Sequence, residues 1–539
     1  MTDETPPAPP MTLTEVEVIQ IKAASIRWED MQPKPIEVSV TGQLPDLGHD
    51  TLALELGDIG WRDGARYWVD RGKFLFWNGA YWTVEDRMQS FTFVRAFLRM
   101  KAIQIKEWAI QQAQTITDEK GVDQILKWAD RTAKELANKA TVNAVRDMVR
   151  SNGGMPVTTD QLDTDPWLVG APSGTIDLRT GIYRISDPAD LITKSVAVNP
   201  APPGSHAPVW NSFLRTVMDG DDDLVKFLQR LFGYALTGLV TEHKFAFFYG
   251  TGRNGKGTFL NTILDIMSSY ARKAPASMFL ETKTPEHVTE LAGLVGKRFV
   301  FGSEIPKGAF WNEVLVKDIT GGDMLSARFM RQDFFDYFPQ FLLAIAGNAK
   351  PAIRGVDPAI RERMMLVPFT VYIEKANRDP KLPEKLKQEW PMILRWLIDG
   401  CLEWQRIGLS EPEAVTKATE GYMDAEDIVG QFITERCVVD WNDKRCGVRK
   451  DEMFTAYNAW RTRQGLKPLV NMQIVKELES KGFYEKRMRI GGMTKTDNPV
   501  FCFRGIKINR EPPTYFPPLP TTLPNGLPVV MPPGVKKTQ

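Results

Sequence analysis

The twelve residues Phe247-Phe-Tyr-Gly-Thr-Gly-Arg-Asn-Gly-Lys-Gly-Thr258 carry glycines, one lysine and a helix start at the spacing of a phosphate cradle. Gly250, Gly252, Gly255 and Gly257 let the main-chain N–H groups of the loop, those of Thr251, Arg253 and Asn254 included, come close to phosphate oxygens. The following helix adds its positive end, and Lys256 reaches the outer phosphates of a nucleoside triphosphate. The position after the lysine usually offers a Ser or Thr hydroxyl to Mg²⁺. Here it is Gly257, and the hydroxyl comes one residue later at Thr258. Thr258 is therefore a candidate metal ligand.

Three further groups complete a hydrolytic constellation. Lys297-Arg-Phe-Val-Phe-Gly-Ser-Glu304 is an apolar strand ending in a carboxylate, 48 residues after Lys256. That is where a phosphate-loop ATPase needs an acid, and Glu304 is expected to polarise the attacking water. The metal is expected to be held through water, Ser303, Glu304 or Thr258. A third apolar strand ends at Gly347-Asn348, and the Asn348 amide can sense the γ-phosphate. Arg361 and Arg363 follow, before a strand beginning at Met364. Either arginine suits a finger reaching a neighbouring subunit's phosphates, and a surface salt bridge to Glu362 or Asp357 is the plain alternative. Lys317 to Phe335 reads as a projecting hairpin with Arg331 and Gln332 near its tip. With Arg328 and Lys317 it could grip the backbone of a single strand. An ordinary surface hairpin fits the same residues.

The elements that must position these groups are an alternation of apolar strands (Lys244–Tyr249, Arg298–Ser303, Phe341–Ala346) and helices, the pattern of a mostly parallel α/β sheet. Around it the chain divides into a lead (1–55, Thr- and Pro-rich and disordered over 1–12), an α+β and helical region (56–235), the ATPase core (236–375), a helical extension (376–430), a basic domain (431–510) and a proline-rich, disordered tail (511–539). The tail is either passive or a docking segment. Asn78-Gly79 marks a hairpin whose tryptophans read as core rather than as base-stacking surfaces. Residues 444–510 hold 16 Lys and Arg against 6 Asp and Glu. Their order of helices followed by two strands about Gly491-Gly492 reads as a winged helix, with Lys486, Arg487, Arg489 and Lys495 flanking the wing. Those basic residues fit a contact to DNA or a merely solvated face.

Composition bounds the rest. The chain's 539 residues suffice for about three or four domains. The net charge of +1 carries no global nucleic-acid signature, so any basic surface is local. Cys401, Cys437, Cys446 and Cys502 have neither zinc-site nor close disulfide spacing, which suits a reducing cytoplasm. No apolar run is long enough to span a bilayer, and the N-terminus does not read as a signal peptide.

Glu304, Lys317, Thr320-Gly-Gly-Asp323, Asn348 and Arg363 together resemble a superfamily 3 helicase of the phage/plasmid primase-helicase type, related to poxvirus primase-helicases. Upstream, Asp165-Pro-Trp-Leu168, Pro172-Ser-Gly-Thr-Ile-Asp-Leu-Arg-Thr-Gly181 and Phe227-Leu-Gln-Arg-Leu-Phe-Gly-Tyr-Ala-Leu-Thr-Gly238 resemble the stretch that precedes the ATPase there. The resemblance covers roughly residues 56–510. It implies an AAA+-like core, ATP and Mg²⁺, a ring (a hexamer) with hydrolysis at subunit interfaces, and 3′→5′ movement on single-stranded and forked DNA. It places the protein in the replication of a phage or mobile element, in a bacterial host's cytoplasm if phage-encoded. About 55 residues precede the shared region, too few for a catalytic primase domain, and they hold no Asp-x-Asp pair with a later His, so the expectation is a helicase whose primase, if any, is a separate partner. The rival expectations are a DNA-binding initiator or regulator switched by ATP without unwinding, and a helicase directed at RNA.

Overall fold

The structure, a computed structural model, describes residues 34–36, 44–282, 288–353, 358–494 and 496–509. The expected disordered lead (1–12), the proline-rich tail (511–539), Asp357 and Lys495 lie outside the described residues. The chain divides into two compact units, Met1–Pro351 with Glu362–Ala418, and Ala352–Arg361 with Thr419–Gln539. The second unit begins before residue 431, taking in part of the helix Glu413–Glu426 and all of Ile428–Arg436.

In the first unit, β1 (Ala65–Trp68), β2 (Lys73–Trp77), β3 (Trp82–Val84) and β4 (Pro156–Val157) form a sheet ordered β3-β2-β1-β4. Trp77 and Trp82 face each other across β2 and β3 and are buried. The turn between them is four residues long, and Asn78 Oδ1 holds it by accepting from the amides of Ala80 and Tyr81, each at 2.9 Å. The helices Gln89–Ala113, Glu119–Leu136 and Lys139–Val149 share one apolar core with Trp61, Phe74 and Trp108. A second small sheet, β5 (Leu168–Ala171), β6 (Gly174–Asp177) and β7 (Ile182–Arg184), leads into the central layer.

That layer is five strands, all parallel: β8 (Phe245–Tyr249), β9 (Ala271–Pro275), β10 (Phe299–Ser303), β13 (Leu342–Gly347) and β14 (Met364–Pro368), ordered β14-β8-β13-β10-β9. Between β10 and β13 lies a two-stranded hairpin, β11 (Leu325–Ala327) with β12 (Phe335–Tyr337). β8 and β13 are near-continuous apolar runs because a parallel sheet is covered on both faces. β9 was not expected. Its sequence Ala-Arg-Lys-Ala-Pro has no apolar run, because it is the sheet edge and every exposed position is polar or proline.

Two helices brace this sheet through a close backbone crossing. On Asp222–Ala235, a Cβ at Gly233 would lie 2.2 Å from the Cys401 amide nitrogen. On Trp390–Ile407, a Cβ at Gly400 would lie 2.0 Å from the Gln229 carbonyl. Only glycine fits either position, and the two together let the helices touch.

The second unit packs the helices Ile428–Arg436, Lys450–Arg463 and Asn471–Glu479 around Phe432, Tyr457, Trp460 and Leu478. β15 (Cys437–Val439) pairs with β19 (Ile506–Ile508), and β16 (Gly447–Arg449), β17 (Glu485–Met488) and β18 (Val500–Arg504) form a sheet ordered β16-β18-β17. Among the described residues no helix is long and apolar enough to cross a membrane.

Candidate functional site

The parallel register sets three loops side by side at the C-terminal edge of the central sheet. Tyr249 pairs with Gly347, and Ala346 pairs with Ser303. The next residues, Gly250, Asn348 and Glu304, therefore follow adjacent strand ends. Helix Lys256–Met267 starts here, two residues before Thr258, with Gly255 in the left-handed region at φ 79°.

Lys256 is buried, and its Nζ donates to the carbonyls of Gly250 (3.2 Å) and Gly347 (3.0 Å) and to Asn348 Oδ1 (3.0 Å). Among the described residues no carboxylate pairs with it, and burial lowers its pKa from 10.5 to about 8. Among the described residues the main-chain amides of Thr251, Gly252, Arg253, Asn254 and Gly255 donate no backbone hydrogen bond. The helix leaves its own first amides without intrahelical partners. A buried ammonium, orphan amides and a helix N-terminus together favour an anion.

One loop residue has an anchoring role that spacing did not reveal. Asn254 is buried, and its Nδ2 donates to the Phe369 carbonyl at 2.9 Å, which ties the loop to the chain leaving β14. The Ile373 amide donates to the Arg253 carbonyl at 2.8 Å and fixes the loop again. Between these segments and Phe213 runs a cleft of about 740 Å³, lined by Arg253, Gly255, Thr258, Tyr372, Arg378 and Asp379 among others. Arg378 donates to the Tyr372 hydroxyl at 3.1 Å. The cleft's sequence trace is the pair of aromatics Phe369 and Tyr372 after β14, which the spacing of motifs did not single out.

Glu304 is exposed, adopts φ 73° and has no hydrogen-bond or ion-pair partner among the described residues. A non-glycine residue there is strained by about 1–2 kcal/mol. Ser303 is the last residue of β10 beside it.

The arginines are elsewhere. Met364 pairs with Phe245, so Arg363 lies at the start of β14, at the opposite end of the sheet from Gly250. Its guanidinium lies against the Thr320–Asp323 turn, where a Cβ at Gly321 would sit 4.0 Å from Nη2. Arg361 pairs with Asp424 at 3.0 Å, a partner other than the Glu362 or Asp357 considered from sequence. Lys317 is on the helix Glu313–Gly321 that feeds this turn. The hairpin projects with Arg331 (φ 62°) and Gln332 exposed at its turn, and Arg328 stacks on Phe334 at 4.7 Å. In the second unit Lys486, Arg487 and Arg489 are exposed on and beside β17. Arg487 lies 5.9 Å from the ring centroid of Phe501 across the ladder, and Arg489 is held by the Asp497 carbonyl at 2.6 Å.

Residues 60–219 match the family described as "D5 N terminal like". The chain is 23% identical over 352 residues to a protein of Acanthamoeba polyphaga mimivirus named "Putative helicase", covering 61% of this chain and 36% of that protein. It is 24% identical over 291 residues to a like-named protein of Frog virus 3 (isolate Goorha), covering 48% and 29%. It is 23% identical over 282 residues to another of Invertebrate iridescent virus 6, covering 50% and 29%. The chain spans about a third of the length of the curated relatives it matches. Solved apo structures of the NrS-1 C-terminal region are similar at TM-scores of 0.43 and 0.42 and 11% identity. They cover 84% and 82% of this chain and 99% and 96% of their own.

Proposed function

We propose that this chain is an ATP-driven DNA helicase whose subunits assemble head to tail into a ring, a hexamer, with hydrolysis at the interfaces. The observation that carries the reading is the unneutralised, buried Lys256 ammonium at the meeting of a glycine loop, a helix N-terminus and the Asn348 strand end. In this reading the protein core is a phosphate-loop, AAA+-like ATPase. Lys256 and the loop amides hold the β- and γ-phosphates, the cleft beside Tyr372 takes the base, and Asn348 contacts the γ-phosphate. Glu304 accepts a hydrogen bond from the attacking water and orients it. The names of the viral relatives support a motor on nucleic acid. The helix order and three-stranded sheet of the second unit fit a winged helix, with Lys486, Arg487 and Arg489 on its wing.

Mg²⁺ neutralises phosphate charge when bound. Thr258 is half-buried beside Lys256 and lines the same cleft, so its hydroxyl fits the role of metal ligand. A Cβ at Gly257 meets nothing within 4 Å, so that position has room for a hydroxyl as well. Thr258→Ala is expected to weaken Mg²⁺-dependent nucleotide affinity roughly tenfold, the order of one lost hard-oxygen ligand. Gly257→Ser in that background is expected to restore it. Titration of a fluorescent ATP analogue with and without Mg²⁺ reads both, and an unchanged Thr258→Ala profile moves the ligand to Ser303 or to water.

Unwinding of a forked DNA duplex tests the function itself. ATP-dependent strand separation, with ATPase stimulated more by single-stranded DNA than by RNA, is the expected result. DNA binding and ATPase without strand separation would turn the reading into a switched initiator, and stimulation by RNA alone would change the substrate.

A further inference from the structure

A second polar cleft lies at the opposite end of the central sheet from the glycine loop. It has a volume of about 760 Å³ and adjoins a cavity of about 670 Å³ that runs along the hairpin to Arg331, Gln332 and Phe334. The two share Arg71, Thr159, Val295 and Tyr337, so they form one track from the hairpin tip to its foot. Arg71 forms the waist, with its guanidinium 4.6 Å from the Phe329 ring and 5.6 Å from Trp68.

The inner end of the track is cationic. Arg71, Lys194, Arg272, Lys297 and Arg298 line it, against the carboxylates Asp160 and Asp163. Asp163 is occupied by Lys194 at 2.5 Å and by Thr193. Arg298 is consumed by the carbonyls of Leu236 (2.6 Å) and Leu168 (2.9 Å). Arg272 is exposed and has no hydrogen-bond or ion-pair partner among the described residues. Among the described residues Lys297 Nζ has only the Ser269 carbonyl, at 2.7 Å. Burial, then Lys194 and Arg272, hold its pKa below the ordinary lysine value.

Two glycines in Leu291-Ala-Gly-Leu-Val-Gly-Lys-Arg298 make this crowding possible. A Cβ at Gly293 would fall 1.6 Å from Arg272 Nη1, and one at Gly296, itself at φ 65°, would fall 2.9 Å from Lys194 Nζ. Cations are thus packed onto bare backbone with too little acid to neutralise them, which is an anion site by Coulomb's law. At its mouth Phe338 is 63% exposed, directly after β12.

We propose that this track binds single-stranded DNA, with Arg272 and Lys297 on two phosphates at the hairpin foot and a base stacked on Phe338. Alternating cations and exposed aromatic faces are what a sequence-tolerant single-strand groove requires. The proposal rests on the helicase reading and extends its DNA path beyond the hairpin tip.

Fluorescence anisotropy of a labelled oligothymidine against the full chain, over a series of salt concentrations, tests it. Arg272→Ala with Lys297→Ala is expected to weaken binding tenfold or more. It should also flatten the plot of log affinity against log salt by about 1.4, at ~0.7 per lost phosphate contact. Phe338→Ala should weaken binding about tenfold with an unchanged slope, because stacking releases no counterions. Binding of a fluorescent ATP analogue should be unaltered in both variants, which also reports an intact fold. Wild-type affinity and slope in the double variant, or a loss confined to duplex DNA, overturn the proposal while leaving the helicase reading in place. A wild-type chain that binds no single-stranded DNA overturns both.

Discussion

Lys256→Ala is expected to abolish nucleotide hydrolysis while the chain still folds. The wild-type ammonium makes three hydrogen bonds, two to carbonyls and one to Asn348, and it supplies a buried positive charge at the glycine loop. The Gly347 carbonyl keeps the Gly250 amide as a donor at 3.3 Å, while the Gly250 carbonyl loses the lysine and is left to water. The structural cost is therefore that of one trimmed polar side chain, about 1–2 kcal/mol. The catalytic cost is larger, because a preorganised cation facing developing phosphate charge in a dry site is among the strongest contributions an enzyme has. A fall in kcat of roughly a thousandfold, about 4 kcal/mol, is expected with single-stranded DNA present. Retained DNA-stimulated ATPase would remove Lys256 from the mechanism.

The same lysine predicts a pH dependence with a defined sign. Burial sets its folded pKa at about 8 against 10.5 ordinarily. Between those values the unfolded chain binds the additional proton, so this residue's contribution to stability improves as pH rises through that window. Nucleotide affinity runs the other way. It is greatest below pH 8, where the ammonium is charged, and falls above it. A bound triphosphate raises the lysine pKa, so binding at pH 8–9 takes up a proton. Calorimetry in buffers of different ionisation enthalpy reads that proton directly, and its absence would place the phosphates away from Lys256.

How much of this was legible in the sequence depends on how local each constraint is. The glycine loop, the strand ending at Ser303 and the strand ending at Gly347 are set by contiguous apolar runs and by glycine spacing. Their expected bounds agree with the observed strands to within a residue. β9 was hidden because an edge strand does not need an apolar run. Asn254 was only one of several loop residues until the fold brought the Phe369 carbonyl to it, 115 residues away in sequence. Arg361 and Arg363 were indistinguishable two positions apart on one short helix. The fold separates them, pairing Arg361 with Asp424 and laying Arg363 against Gly321. The cleft at the hairpin foot draws on Trp68, Lys194, Arg272 and Phe338, and no window of sequence holds them together. Its one local trace was the pair Gly293 and Gly296, whose purpose is legible only once the cations beside them are placed.

Arg363→Ala and Glu304→Gln are each expected to be inactive alone and active when mixed. Arg363 precedes β14 at Met364, and the glycine loop follows β8 at Tyr249. Five residues of strand at ~3.3 Å each put them about 16 Å apart along the sheet. An arginine at that end of the sheet does not serve its own chain's nucleotide, so any role in hydrolysis is on a neighbour's. Glu304 lies at the same sheet edge as Lys256, so its proposed role is on its own chain's nucleotide. Loss of a finger arginine typically costs 10³–10⁵ in kcat, so Arg363→Ala alone should show about that loss with ATP binding retained. Glu304→Gln keeps the side chain's size and removes the charge that orients water. In a random mixture of head-to-tail assemblies, roughly one interface in four combines an intact Glu304 with an intact Arg363. ATPase well above the sum of the two variants is therefore expected. No recovery, in a mixture shown by native mass spectrometry to contain both variants in one assembly, would remove Arg363 from a neighbour's chemistry.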